Sequence, residues 1–244
     1  TKSGINNYTG DERLLTGVTF ALYKGSSKIQ EVKTDTDGKA TFKDVSYGTY
    51  SIKEVEAVEG YKKVSDITLN LSANPTIKAS NDENIVLDTE TNTLTIKNQE
   101  IINAIEMTKT FEGVAADADD ELLKQVKFAL FKEDGTRVTT TKKAKYENGV
   151  RTLVEDQSSA DLTFTPDADG KVYVPYLELY ASYYFQEVET AVGYQLDSTQ
   201  FTVMVRNDVT KNSASNPLVN KPVKVTVTNV EGDPDNETPP TNTD

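Results

Sequence analysis

Two lysines, two glutamates and two asparagines stand at matched places in this sequence, all but the first lysine where an apolar side chain is expected. Side chains alternate faces along a β-strand, so residues two apart share a face. In one run Ile105, Met107, Lys109 and Phe111 fall together, with Thr108 and Thr110 opposite, which sets an amine inside an apolar stripe. Tyr183, Phe185 and Glu187 align in the same way, and so do Val223, Val225, Val227 and Asn229. An earlier stretch repeats the pattern with Tyr50, Ile52 and Glu54, and with Leu94, Ile96 and Asn98. The matching lysine is Lys2, 18 residues before Phe20, as Lys109 stands 19 before Phe128.

A buried charge is costly, and the group usually neutralises instead. For a single trio, a structural Lys–Glu pair with a hydrogen-bonded Asn is the plainer reading. Two trios in the same order shift the balance toward chemistry. A desolvated lysine loses its proton and becomes a nucleophile. A desolvated glutamic acid keeps its proton, polarises the Asn carbonyl and passes protons to the leaving amine. The lysine then displaces ammonia from the Asn amide and leaves an isopeptide crosslink. The fold supplies proximity. Each trio reacts once, so the activity is self-crosslinking and not enzyme turnover.

The elements that must hold these residues are short strands. The 244 residues suggest one large domain or two ordinary ones. Candidate strands are Val18–Tyr23, Lys39–Phe42, Thr49–Glu56, Ile67–Leu71 and Thr93–Asn98, then Ala104–Phe111, Val126–Phe131, Lys171–Val174, Ser182–Glu189, Phe201–Val205 and Val223–Val230. Thr, Val, Ile and Tyr dominate them, and Asp-Gly or Asn-Gly pairs separate them, which predicts an all-β, sandwich-like fold.

The sequence also repeats itself. Val18-Thr-Phe-Ala-Leu-Tyr-Lys24 matches Val126-Lys-Phe-Ala-Leu-Phe-Lys132, and Asp37-Gly38-Lys39 matches Asp169-Gly170-Lys171. Glu54 to Tyr61 matches Glu187 to Tyr194, and Leu94–Asn98 matches Val225–Asn229. The chain therefore divides into a first domain over 1–100, a second over 101–231, and a Pro-, Asn- and Thr-rich tail over 232–244. The second copy is longer, with extra residues around Glu133–Asp161.

Composition removes most other chemistry. There is no Cys, His or Trp, so no disulfide, no zinc site built on Cys or His, and no Cys nucleophile or His-based triad is available. No cofactor and no metal are expected. Asp plus Glu is 39 against 26 for Lys plus Arg, a formal charge of −13. That balance argues against nucleic acid, and no stretch reaches the roughly 18 apolar residues of a membrane span. The N-terminus opens polar, without the pattern of a signal peptide. Asp35-Thr-Asp-Gly38 and Asp167-Ala-Asp-Gly170 lack EF-hand spacing and are expected to be hairpin turns. The acidic run 117–121 is expected to be a solvated loop. Glu54 with Glu56, and Glu187 with Glu189, sit too close on one strand for a glycosidase pair.

Both halves resemble the CnaB-type, prealbumin-like immunoglobulin-like domains of Gram-positive surface adhesins and pilins. The resemblance rests on the Gly17–Tyr23 run, the Asp-Gly-Lys turns, the Glu54…Gly60-Tyr61 and Glu187…Gly193-Tyr194 segments, and the closing strands ending at Asn98 and Asn229. The Glu-to-Gly-Tyr segment is similar to the pilin E-box, with Val58 and Val192 near the family's usual proline. The family implies Lys–Asn isopeptide bonds between first and last strands: Lys2–Asn98 with Glu54, and Lys109–Asn229 with Glu187. It implies an extracellular, cell-wall-attached protein whose partners are neighbouring domains or pilin subunits. No Leu-Pro-x-Thr-Gly sorting signal and no clear pilin-motif lysine occur in this chain. A minor pilin or adhesin stalk therefore fits better than a polymerising pilin. The alternative is a module that binds a host matrix protein, for which Lys142, Lys143, Lys145 and Tyr146 in the insertion are the candidate contacts.

Overall fold

The computed structural model describes residues 1–6, 9–79, 84–114, 120–148, 150–205 and 223–232. The sequence patterns produce strands almost throughout, in two units, and the chain is all-β with Ig-like, prealbumin-like sheets, as expected. In the first unit β1 (Lys2–Ile5), β2 (Glu12–Leu14), β3 (Thr19–Lys24), β4 (Ser27–Lys33) and β5 (Gly48–Glu56) are followed by β6 (Ile67–Leu71), β7 (Thr76–Ala79), β8 (Ile85–Asp88) and β9 (Thr93–Gln99). They form one sheet in the order β2-β1-β9-β8 and another in the order β4-β3-β5-β6-β7. Phe20, Leu22, Tyr50, Ile52, Ile67 and Ile96 form the core of the unit.

The second unit holds β10 (Ile105–Phe111), the single turn α1 (Asp120–Leu123) and β11 (Lys127–Lys132), followed by the outer parts of β12 (Thr140–Glu147) and β13 (Val150–Ser158). It closes with β14 (Lys171–Val174), β15 (Ser182–Glu189), β16 (Phe201–Met204) and β17 (Val223–Asn229). Its sheets are β14-β10-β17 and β11-β15-β16, and β12 pairs with β13 as a separate ladder. Ile105, Met107, Phe128, Leu130, Phe185 and Val227 are wholly excluded from solvent there. Fully burying each such side chain contributes about 1.5–3 kcal/mol.

Every strand pair with a described register is antiparallel except two, and those two matter most. β1 runs parallel to β9 with Lys2 opposite Ile96 and Gly4 opposite Asn98. β10 runs parallel to β17 with Lys109 opposite Val227 and Phe111 opposite Asn229. In each unit the lysine thus lies two residues out of step with the asparagine of the neighbouring strand, on the same face. That diagonal is within reach of a long side chain.

A tight turn fixes where each lysine sits. The Asp35 carboxylate accepts the N–H groups of Asp37 and Lys39, both at 2.9 Å, and Asp167 accepts those of Asp169 and Lys171 at 3.0 and 2.8 Å. These are Asx-type turns. Each ends on a glycine with positive φ, +65° at Gly38 and +72° at Gly170. The glycine carbonyls accept the Lys2 and Lys109 backbone N–H groups, both at 2.7 Å. A Cβ at either glycine would collide with the carbonyl oxygen of the same lysine. Gly170→Ala therefore combines left-handed strain with a backbone clash, and we expect a loss of about 1–3 kcal/mol in urea denaturation. An unchanged midpoint would mean that the turn does not hold β10 in place.

The expected strand Lys39–Phe42 does not form. In the second unit its counterpart, β14, pairs with the part of β10 that precedes Lys109, from Ile105↔Val174 to Thr108↔Lys171. In the first unit residues 40–42 pair with none of the described strands. The insertion in the second copy is the β12–β13 hairpin. Its tip, Ala144–Thr152, belongs to unit 1 along with Thr1–Ile101. There Arg151 meets the buried Glu100 at 3.1 Å, Tyr146 donates to the same carboxylate at 2.8 Å, and Arg13 stacks on the Tyr146 ring. The tail beyond Gly232 and the acidic residues 117–119 lie outside the described residues.

Candidate functional site

The first trio comes together through three strands. Lys2 lies on β1, Glu54 on β5 and Asn98 on β9, and all three are buried. The Lys2 amine donates to Asn98 Oδ1 and lies 3.6 Å from Glu54 Oε2. Asn98 Nδ2 donates to Glu54 Oε1 at 2.5 Å, and the backbone N–H of Val64 holds the other carboxyl oxygen at 3.0 Å. Phe20 lies beneath the amine, 5.8 Å from ring centre to nitrogen. Amine, carboxyl and amide touch one another in a site that water does not reach.

The second trio is built on β10, β15 and β17. Lys109, Glu187 and Asn229 are each no more than 2% exposed. Asn229 Nδ2 donates to both oxygens of Glu187, at 3.0 and 2.8 Å, and faces Thr190 Oγ1 at 2.6 Å and the Gln195 carbonyl at 2.9 Å. The Asp197 backbone N–H donates to Glu187 Oε2 at 2.8 Å, the counterpart of Val64 in the first unit. The Lys109 amine stands over the Phe111 ring at 3.9 Å and donates to the Thr110 carbonyl at 2.5 Å. Asn229 Oδ1 is buried and has no hydrogen-bond partner among the described residues.

The two copies therefore agree in the carboxyl–amide contact and differ in the amine. In the first it rests on the amide oxygen, whereas in the second it turns to a backbone carbonyl. In both, the carboxyl faces the amide nitrogen and not the carbonyl oxygen. That orientation suits proton delivery to the departing nitrogen better than polarisation of the carbonyl.

The electrostatics of the second site shift both groups toward their neutral forms. Burial pushes the Lys109 amine down from 10.5 to about 8, against the pull of the Glu187 and Asp197 charges. Burial also pushes the Glu187 carboxyl above its ordinary value, opposed by the Asp197 N–H, the Asn229 amide and the Lys109 charge. A neutral amine and a protonated carboxyl are the forms that amide exchange requires.

Thr190 is fully buried against the Asn229 amide, and sequence reasoning passed over it. Its only signal was position, three residues after the glutamate, where the first copy has Ala57. Of the contacts proposed for the insertion, Lys143 pairs with Asp156 at 2.8 Å and Lys145 with Glu147 at 2.7 Å, and Tyr146 donates to Glu100.

A family model described as SpaA, prealbumin-like fold domain, matches residues 5–85 and 109–217. The chain belongs to this family. The two matched segments of the SpaA-type fold contain Glu54, Lys109 and Glu187, whereas Lys2, Asn98 and Asn229 lie outside them. Similar solved structures include the TIE protein of Bacillus anthracis, 16% identical over 94% of this chain and 33% of that one, with a TM-score of 0.35. This chain thus spans about a third of that protein's length. A minor pilin of Streptococcus agalactiae is 18% identical over 92% and 87%, with a TM-score of 0.35. The shaft pilin SpaA of Lactobacillus rhamnosus GG is 16% identical over 96% of both chains, with a TM-score of 0.38. No curated protein matches this SpaA-type chain.

Proposed function

We propose that this chain is a structural stalk module of a Gram-positive cell-surface adhesin or minor pilin, in which each domain locks itself with one Lys–Asn isopeptide bond. The observation that carries the reading is the burial of the same three groups, in the same strand register, in both SpaA-type units. The bonds join Lys2 to Asn98 and Lys109 to Asn229, with Glu54 and Glu187 as the proton carriers. The lysine nitrogen attacks the Asn Cγ, its proton passes through the glutamic acid to Nδ2, and Nδ2 leaves as ammonia. One N–H and one C–N bond are broken and one of each is made, so nothing else is consumed.

The reading gives the chain a mechanical role outside the cell, with neighbouring domains or pilin subunits as partners. Each bond ties a domain's first strand to its last. Pulling force then passes along a covalent path and not through the hydrogen bonds of the sheets. Intact-mass measurement tests the proposal. The chain is expected to weigh two ammonia molecules less than its sequence, and Lys109→Ala is expected to restore one. A mass equal to the sequence overturns it.

A further inference from the structure

Four oxygen atoms gather on one amide nitrogen in the second unit. Asn229 Nδ2 meets both oxygens of Glu187, Thr190 Oγ1 at 2.6 Å and the Gln195 carbonyl at 2.9 Å. They belong to three groups, whereas a primary amide carries two N–H bonds. One acceptor group is thus in excess for the asparagine as it stands. Nothing balances this at the other end of the amide, where the buried Oδ1 has no hydrogen-bond partner among the described residues. In the first unit Asn98 Nδ2 donates to Glu54 alone among the described residues, and Ala57 stands in the place of Thr190.

The backbone holds these acceptors in place. The segment after β15 wraps the end of β17: the Gln195 N–H donates to the Val230 carbonyl at 3.1 Å, and the Gly232 N–H to the Gly193 carbonyl at 2.7 Å. The Tyr194 N–H returns to the Ala191 carbonyl at 3.1 Å, which closes a turn over 191–194. Thr190 and Gln195 flank this turn, so their oxygens reach Asn229 from a fixed frame. Thr190 is wholly buried, which keeps water from taking its place beside Nδ2.

A third acceptor adds little to an amide whose two N–H groups are already satisfied. Its effect comes when charge develops. Once the proton carried by Glu187 reaches Nδ2, that nitrogen has three N–H bonds and a positive charge. The Glu187 carboxylate, the Thr190 hydroxyl and the Gln195 carbonyl then match three hydrogens. Contacts that are stronger in the transition state than in the ground state accelerate a reaction.

We propose that Thr190 is a further catalytic residue of the second crosslink, its hydroxyl oxygen accepting an N–H of the departing nitrogen as ammonia leaves. The inference rests on the isopeptide reading and adds a group to it. Lys109 Nζ bonds to Asn229 Cγ as the Cγ–Nδ2 bond breaks, the Lys109 proton reaches Nδ2 through Glu187, and Thr190 keeps its own proton throughout.

Thr190→Val keeps the shape of the side chain and removes the hydroxyl, while Thr190→Ser keeps the hydroxyl. Chain recovered unfolded before bond formation is refolded at neutral pH and ammonia loss is followed by mass, with peptide mapping to assign each bond to its unit. In Thr190→Val the second bond is expected to form about ten- to a hundredfold more slowly, the difference that one hydrogen bond to a charged group makes. The first bond is expected to form at the parent rate in the same molecules. Thr190→Ser is expected to recover most of the lost rate. In a Lys109→Ala background, where no second bond forms, Thr190→Val is expected to leave the second unit's Tm in place, because Asn229 keeps two acceptor groups. A Tm that falls there overturns the proposal in favour of a structural hydrogen bond. So does equal slowing by Thr190→Ser, which assigns the effect to packing. A parent chain that loses two ammonia molecules, with Thr190→Val reacting at the parent rate, overturns this inference alone. A parent chain that loses none overturns the isopeptide reading and this inference with it.

Discussion

Glu187→Gln is expected to leave the second unit folded and uncrosslinked. The substitution keeps the shape of a side chain whose carboxyl burial already drives toward its neutral form, so its direct electrostatic cost is small. Its amide cannot carry a proton from the lysine to the leaving nitrogen, and the chain should gain one ammonia in mass relative to the parent. The bond that is lost closes a loop of about 120 residues, and the chain-entropy treatment of such a closure gives about 5 kcal/mol. For a domain of this size that corresponds to a fall of roughly 15–20 °C in the second unit's Tm. A structural ion pair would also cost several kcal/mol when one partner is removed. Stability alone therefore does not distinguish the two accounts, but mass does. If Glu187→Gln leaves the mass deficit unchanged, the glutamate is not the proton carrier.

Both glutamates, both asparagines and Lys109 were legible because strand alternation has an exact period of two, and a polar residue out of phase stands out against Ile105, Phe185 or Val227. Lys2 was legible only through the repeat, because Ser3, Gly4 and Ile5 give no apolar stripe around it. The repeat also exposed Gly38 and Gly170, whose role depends on a carbonyl contact that no periodicity encodes. The strand β4 was missed since Ser27–Lys33 is largely exposed and does not alternate. The β12–β13 hairpin escaped for the same reason: most of its side chains face solvent. Lys39–Phe42 failed in the opposite direction. Its residues have strand propensity, but a strand also needs a neighbour, and that information is not local. Thr190 and the backbone N–H groups of Val64 and Asp197 were beyond reach because they meet the glutamates only after the chain folds back.

The rate of the second crosslink is expected to follow a flat-topped profile with pH. The reactive state needs Lys109 neutral and Glu187 protonated at once. Below the raised value of Glu187 the carboxyl is fully protonated, and the neutral amine becomes about tenfold scarcer with each unit of acidification. Between the two values a gain in neutral amine is cancelled by a loss of protonated carboxyl, so the rate is level. Above about 8 the amine is already neutral, and each further unit removes about tenfold of the protonated carboxyl. Chain recovered unfolded before bond formation and refolded into buffers of different pH gives the profile, with ammonia loss followed by mass. From pH 8 to pH 10 the rate should fall by roughly a hundredfold. The fold itself moves the other way before the bond forms. Lys109 titrates near 8 when folded and at 10.5 when unfolded, so the unfolded chain holds the extra proton in that window. Stability of the uncrosslinked unit therefore rises with pH from about 8 to 10.5. A slowing reaction in a fold that is becoming more stable cannot be blamed on unfolding. In Glu187→Gln any residual rate should lack the alkaline fall, climbing only until Lys109 is neutral, a point that loss of the Glu187 charge moves to lower pH. An alkaline fall that persists in that variant would assign the proton to another group.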